Sequence, residues 1–186
     1  MSNASPDPQS LFDSIIQQQL HAKSKLPPVH QWSPDPSGDL DMRIDREGRW
    51  YYQGGEIKRH ALVKLFSTIL KYEGGDHFLV TPVEKWRIKV DAQPFVAHSV
   101  KTISKDGVDA LLFTLNDDSE VLLQQPAGFS VTQTETGEPN PLLQVRDKLN
   151  ALVNRNVFYH LVEFAEEEGG ELLITSMGHK YSLGTI

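Results

Sequence analysis

The sequence predicts an α+β fold made of two related halves, each with antiparallel sheet and one or two packed helices. Three observations carry that expectation. Glu73-Gly74-Gly75-Asp76 follows one apolar helical pattern and leads into His77-Phe78-Leu79-Val80-Thr81, while Glu168-Gly169-Gly170-Glu171 follows another and leads into Leu172-Leu173-Ile174-Thr175-Ser176. The register then holds, with Lys85-Trp86 matching Lys180-Tyr181 and Ile88 matching Leu183. Strand-like segments cluster instead of alternating with long helices, which argues against a doubly wound parallel sheet. The plainer alternative is two unrelated helices that each stop at glycine. Duplication is favoured because a helix stop would not require the matching lysine and aromatic beyond the turn. The expected division is a helix and Pro-rich lead-in over residues 1–38, a first α+β repeat over 39–91, and a second, larger repeat over 92–186.

Each element follows from local chemistry. Leu11, Phe12, Ile15, Ile16 and Leu20 recur at helical spacing, so Ser10–Leu20 is expected to be a short helix capped by Ser10, with Asp13 three residues on. A free helix of that length is marginal, so its apolar face is expected to pack on the rest of the chain. Lys25 to Asp39 reads as irregular, because Pro27, Pro28, Pro34 and Pro36 each remove a backbone donor and fix φ; Trp32 is its expected anchor. Met42–Asp45 and Trp50–Gln53 flank Arg46-Glu47-Gly48 as a hairpin, and Gly54-Gly55 marks another turn. From Arg59 to Tyr72, the stripe Leu62, Leu65, Phe66, Ile69 and Leu70 predicts a helix stopped by Gly74 and Gly75.

His77–Thr81 and Lys85–Val90 then read as a hairpin around Pro82-Val83. Strand follows strand from Phe95 to Val131, with turns at Lys105-Asp106-Gly107 and Asn116-Asp117-Asp118-Ser119. Thr134–Asn140 reads as a polar loop. Pro141 suits the first position of a helix whose apolar stripe is Leu142, Val145, Leu149 and Leu152. Asn154-Arg155-Asn156 interrupts that pattern with a good cap. A further helix over Val157, Phe158, Leu161, Val162 and Ala165 ends at Gly169-Gly170, before a closing hairpin from Leu172 to Leu183.

Composition narrows the function classes. At 186 residues and 39% hydrophobic, the chain fits one ordinary domain or two small ones. Its 25 acidic residues outnumber 18 Lys and Arg, so it lacks the basic excess of a general nucleic-acid binder. The absence of cysteine excludes disulfides, thiolate catalysis and cysteine–zinc sites. No apolar run approaches the roughly 20 residues needed to span a bilayer. The polar, Pro-containing start is unlike a signal peptide. A cytoplasmic protein without a membrane partner is expected.

Familiar chemistry is missing. The sequence holds no P-loop, dinucleotide-binding, H-E-x-x-H or G-x-S-x-G pattern, and no two histidines stand four apart. Asp35, Asp39 and Asp41 lack calcium-loop spacing and read as a solvated loop. No catalytic residue, metal or cofactor is therefore assigned. Lys58, Arg59 and His60 open the first repeat helix and Arg155 opens the last one. Cations there oppose the helix dipole, and a bound anion, phosphate above all, would resolve the conflict. The plainer alternative is that these side chains point to water or pair with Glu56 and Asp147. Trp50, Tyr51, Tyr52, Trp86, Tyr159 and Tyr181 divide similarly between core or hairpin packing and stacking on a base.

Gly48-Arg49-Trp50, Gly55-Glu56-Ile57-Lys58-Arg59, Leu62-Val63-Lys64-Leu65-Phe66 and Leu79-Val80-Thr81-Pro82-Val83-Glu84-Lys85 form a distinctive set in the first half. Val145-Arg146-Asp147, Arg155-Asn156-Val157-Phe158-Tyr159 and Leu161-Val162 do so in the second. Together they resemble a proteobacterial family known only as domain of unknown function number 1285, from about Val29 to the C-terminus. The resemblance implies a duplicated core, a second half like a pleckstrin-homology barrel, a nucleotide-like ligand between the halves and a signalling role. Carried over by motif, its ligand-binding residues are Arg59, Thr81, Glu84, Lys85, Arg155 and Tyr159.

The leading expectation is a non-enzymatic ligand-binding or sensor protein in bacterial signal transduction. A small anionic, nucleotide-based molecule would be neutralised by Arg59, Lys85 and Arg155 and met by an aromatic such as Tyr159. One rival is a protein-interaction adaptor that uses the edge or groove of a pleckstrin-like sheet. Another is a hydrolase or transferase acting on a phosphorylated substrate, with Glu84 and His60 as base or acid.

Overall fold

The computed structural model describes Ser10, Asp13 and residues 26–186; the helix expected over Ser10–Leu20 otherwise lies outside the described residues. The chain forms two compact units, Met1–Asp91 and Ala92–Ile186. The class is α+β, with two similar halves that each contain a mixed six-stranded sheet.

In the first unit, strands β1 (Gly38–Ile44), β2 (Trp50–Tyr52) and β3 (Gly55–Glu56) form a meander. Helix α1 (His60–Thr68) follows, then a second meander of β4 (Leu70–Glu73), β5 (Asp76–Val80) and β6 (Lys85–Val90). The sheet order is β3-β2-β1-β6-β5-β4, and only β1 and β6 pair in parallel. Burial alternates along β1, with Leu40, Met42 and Ile44 inside and Asp41 and Arg43 outside, as a sheet with one covered face requires. Over that face α1 lays Phe66 against Trp50, ring centroids 6.0 Å apart. Trp32 in the lead-in is half-buried and its carbonyl accepts a bond from Lys71 Nζ at 3.0 Å, while Val29 supplies the buried apolar contact.

The hairpin between β1 and β2 closes around one buried carboxylate. Asp45 accepts bonds from the Glu47 and Arg49 backbone N–H groups at 3.0 and 2.9 Å, from Arg49 Nε at 3.0 Å and from the Tyr51 hydroxyl at 3.1 Å.

The second unit opens with β7 (Phe95–Lys105), β8 (Val108–Leu115) and β9 (Glu120–Leu122). The meander β10 (Phe129–Gln133), β11 (Pro139–Arg146) and β12 (Leu149–Val153) leads to helix α2 (Arg155–Phe164). Strands β13 (Glu166–Glu168), β14 (Glu171–Ser176) and β15 (His179–Thr185) complete it. The same order of elements, meander–helix–meander, thus occurs in both units. They differ in what the first meander joins. In the first unit β1 takes β6 as its parallel neighbour. In the second, β12 takes β7, giving the order β10-β11-β12-β7-β8-β9 and leaving β13-β14-β15 as a separate sheet.

Three expectations need correction. The helix expected from Pro141 to Leu152 is the hairpin β11–β12. Pro141 and Leu143, then Leu149, Ala151 and Val153, are buried at every second position, and Asp147 takes a left-handed φ of 47° in the turn. Leu142 and Leu152 are half-buried on the opposite face, and Val145 at the register shift is half-buried too, so helical spacing is mimicked. The repeat glycines do not stop helices. Helix α1 ends at Thr68, where the Ser67 and Thr68 hydroxyls donate to the Val63 and Leu65 carbonyls, and α2 ends at Phe164. Gly74-Gly75 (φ 60° and 89°) and Gly169-Gly170 (φ 63° and 83°) are instead two-residue hairpin turns between paired Glu73–Asp76 and Glu168–Glu171. Positive φ at both central residues matches the twist of the flanking strands and suits glycine. Finally, the pleckstrin-like barrel is open: among the described residues no sheet closes, and β9 and β10 remain edges.

Ser176 ties the small sheet to the large one. Fully buried, its Oγ accepts from the Leu111 N–H at 2.8 Å and donates to the Leu123 carbonyl at 2.6 Å. Ser176→Ala leaves a buried donor and acceptor unpaired, so a loss of about 1–3 kcal/mol is expected in urea denaturation followed by circular dichroism.

Candidate functional site

The six residues expected to bind ligand fall into three local groups. Arg59 immediately precedes α1 in an extended conformation, and its carbonyl accepts the first helical bonds from the Leu62 and Val63 N–H groups. Its side chain is exposed, and the first turn of α1 carries no acidic residue.

Thr81, Glu84 and Lys85 come together at the connection between β5 and β6. Thr81 is buried; its Oγ1 accepts from the Glu84 N–H at 3.0 Å and its own N–H donates to the Glu84 carbonyl at 2.9 Å, so the pair closes the turn. Lys85 lays its ammonium 4.5 Å from the centre of the Phe78 ring and pairs with Glu73 at 3.1 Å. Glu73 also faces Lys71, and these cations hold its carboxyl below the usual value. The repeat reproduces this pair: Lys180 is bonded to Glu168, the positions that match Lys85 and Glu73.

Arg155 and Tyr159 stand one turn apart on α2. The Asn154 side chain caps the helix by accepting from the Val157 N–H at 2.9 Å, as expected from its type. The Arg155 and Asn156 N–H groups have no intrahelical partner, as at any helix start. Arg155 and Tyr159 are 68% and 58% exposed, and Arg155 reaches Glu138 at 3.4 Å.

The model for "Domain of unknown function (DUF1285), N-terminal domain" matches residues 27–93, and that for "Protein of unknown function (DUF1285), C-terminal domain" matches residues 94–183. The chain belongs to the DUF1285 family. A DUF1285 family protein from Silicibacter pomeroyi DSS-3 has a crystal structure that is similar with a TM-score of 0.80 and 41% identity, covering 92% of this chain and 95% of that one. A second DUF1285 family structure, from Shewanella baltica OS155, gives a TM-score of 0.53 at 21% identity over 67% of this chain and 91% of that one; this likeness concerns the fold alone. No curated protein matches the chain. Among the described residues no helix is long and apolar enough to cross a membrane.

One residue of chemical interest stands in the family motif of the second half without an expected site role. Arg146, at the end of β11, is half-buried with its guanidinium 5.3 Å from the centre of the Phe95 ring. Burial pulls its pKa below the ordinary guanidinium value, against the opposing influence of Asp117 and Asp147. Its sequence signal, an arginine closing an apolar alternation, was hidden by the assignment of that stretch to a helix.

Proposed function

We propose that the chain is a non-enzymatic ligand-binding or sensor protein of the cytoplasm, acting in signal transduction on a small anionic, nucleotide-based ligand. The observation that supports this reading is the exposed pairing of Arg155 and Tyr159 one turn apart at the start of α2. A cation beside free helix N–H groups suits a phosphate, and an aromatic ring one turn away suits a base. The bond to Glu138 is between two exposed side chains; such pairs contribute about 0–1 kcal/mol, so a phosphate displaces it at little cost. Arg59, the residue just before α1, stands near the start of the other helix and is tested separately.

Thermal-shift screening with nucleotides and cyclic or linear second messengers at millimolar concentration checks this. A ligand at 100 times its Kd stabilises by about 2.7 kcal/mol. The expected result is a raised Tm with at least one nucleotide, lost in Arg155→Ala and Tyr159→Ala, with the unliganded Tm nearly unchanged. No shift with any nucleotide sinks the reading.

A further inference from the structure

The seam between edge strand β9, the loop that follows it and the end of β11 forms a groove of about 510 Å³ in the second unit. One wall is Val121 and Leu122 of β9; the other is Gln144, Val145 and Arg146 of β11.

The β9 wall offers unused strand edge. In the β8–β9 ladder, Leu123 donates to the Leu111 carbonyl and Leu115 donates to the Ser119 carbonyl, in the register that pairs Phe113 with Val121. The odd-numbered residues of this stretch thus bond inward, and Glu120 and Leu122 turn their N–H and C=O groups away from β8. Across the groove, β11 leaves its ladder with β10 after Leu143, apart from the Gln144 N–H bond to the Gly128 carbonyl at 2.8 Å.

The floor is held rigidly. The loop from Leu123 to Gly128 is fixed by Ser176 Oγ on the Leu123 carbonyl and by the Tyr181 hydroxyl on the Gln125 carbonyl at 2.8 Å. Below it the Phe113 and Phe129 rings stack at 6.5 Å. The groove is thus pre-organised, and it keeps the half-buried guanidinium of Arg146 among its lining.

We infer that this seam binds an extended peptide as an added strand on β9, with a carboxylate side chain of the peptide directed at Arg146. Main-chain bonding to Glu120 and Leu122 supplies the affinity, and the partly desolvated guanidinium selects an acidic residue. The groove's lining includes neither Arg155 nor Tyr159, and the inference does not depend on the nucleotide reading.

The test uses the full chain labelled with nitrogen-15 and a panel of end-blocked pentapeptides alternating Val and Thr, with a single Glu placed at each position in turn. Saturable shifts at the Glu120 and Leu122 amides and at Arg146 Nε are expected at millimolar peptide. Exchanging the peptide Glu for Gln, or Arg146→Gln in the protein, is expected to weaken binding roughly tenfold or more. Leu122→Pro removes one outward donor while sparing the bonds to β8, and is expected to abolish binding. Peptides N-methylated at alternate amides probe the same bonds with the protein unaltered, so the test survives a variant that fails to fold. No shift with any peptide overturns the inference, as does an undiminished response to the N-methylated series. The same shifts from acetate or inorganic phosphate alone would make the groove a small-anion site and overturn it equally.

Discussion

Phe66→Ala is expected to destabilise the first unit by about 3–5 kcal/mol. Phe66 is fully buried on the inner face of α1 and stacks against Trp50, itself 1% exposed, with the rings inclined by 22°. Truncation removes the apolar area of a whole ring and leaves a cavity that Trp50 cannot fill without leaving the β1–β2 hairpin. All three tryptophans, Trp32, Trp50 and Trp86, belong to the first unit, which makes tryptophan fluorescence in urea its selective reporter. The fluorescence midpoint is expected to fall sharply with little change in slope. An unaltered midpoint would mean that the Phe66–Trp50 stack does not hold this unit together.

The legibility of Phe66 shows what the sequence conveys and where it misleads. Its stripe with Leu62, Leu65, Ile69 and Leu70 pointed to burial: Leu62 is half-buried and the other four are buried. The inferred element was too long, because Ile69 and Leu70 owe their burial to the entry into β4. Burial is set by apolar character, whereas the boundary is set by local hydroxyl bonding at Ser67 and Thr68, which composition does not display. The same distinction explains Pro141 to Leu152. A strand with two partly covered faces loses the alternation that separates period two from period 3.6, and proline at a strand start resembles proline at a helix start.

The repeat was legible because it is written in turn chemistry. Two glycines with positive φ are needed for each hairpin turn, so Glu-Gly-Gly survives as a visible mark even though its role is not to stop a helix. The matching ion pairs, Glu73–Lys85 and Glu168–Lys180, preserve the register across three strands in each unit. Positions between them have diverged in role. Thr81 and Ser176 match in the repeat and are both buried hydroxyls, yet Thr81 closes its own turn while Ser176 bridges two sheets. The edge groove beside Arg146 was not legible. It arises from which strand β12 chooses as neighbour, a long-range pairing that no local pattern encodes.

Asp45→Ala carries the second large effect, expected at about 2–4 kcal/mol at neutral pH. The carboxylate is the shared acceptor for two backbone N–H groups, Arg49 Nε and the Tyr51 hydroxyl, so alanine orphans several donors at once and frees the turn that sets the β1–β2 register. Burial acts to raise the pKa of Asp45, but the bonds from Arg49, Tyr51 and Glu47 override it and leave the pKa below the ordinary carboxylate value. A depressed folded-state pKa fixes the sign. The contribution is fully present above the unfolded value of about 3.9 and is lost as pH falls through the lower folded-state value. Wild type and Asp45→Ala are therefore expected to differ by a constant amount from neutral pH down to about pH 5, and the gap is expected to narrow steadily below pH 4. Asp45→Asn, which keeps one acceptor oxygen, is expected to fall between them. Urea midpoints read by tryptophan fluorescence across this range decide the matter. Parallel acid profiles for wild type and Asp45→Ala would show that the ionised carboxylate does not stabilise the turn, and the effect of alanine would then have to come from lost packing alone.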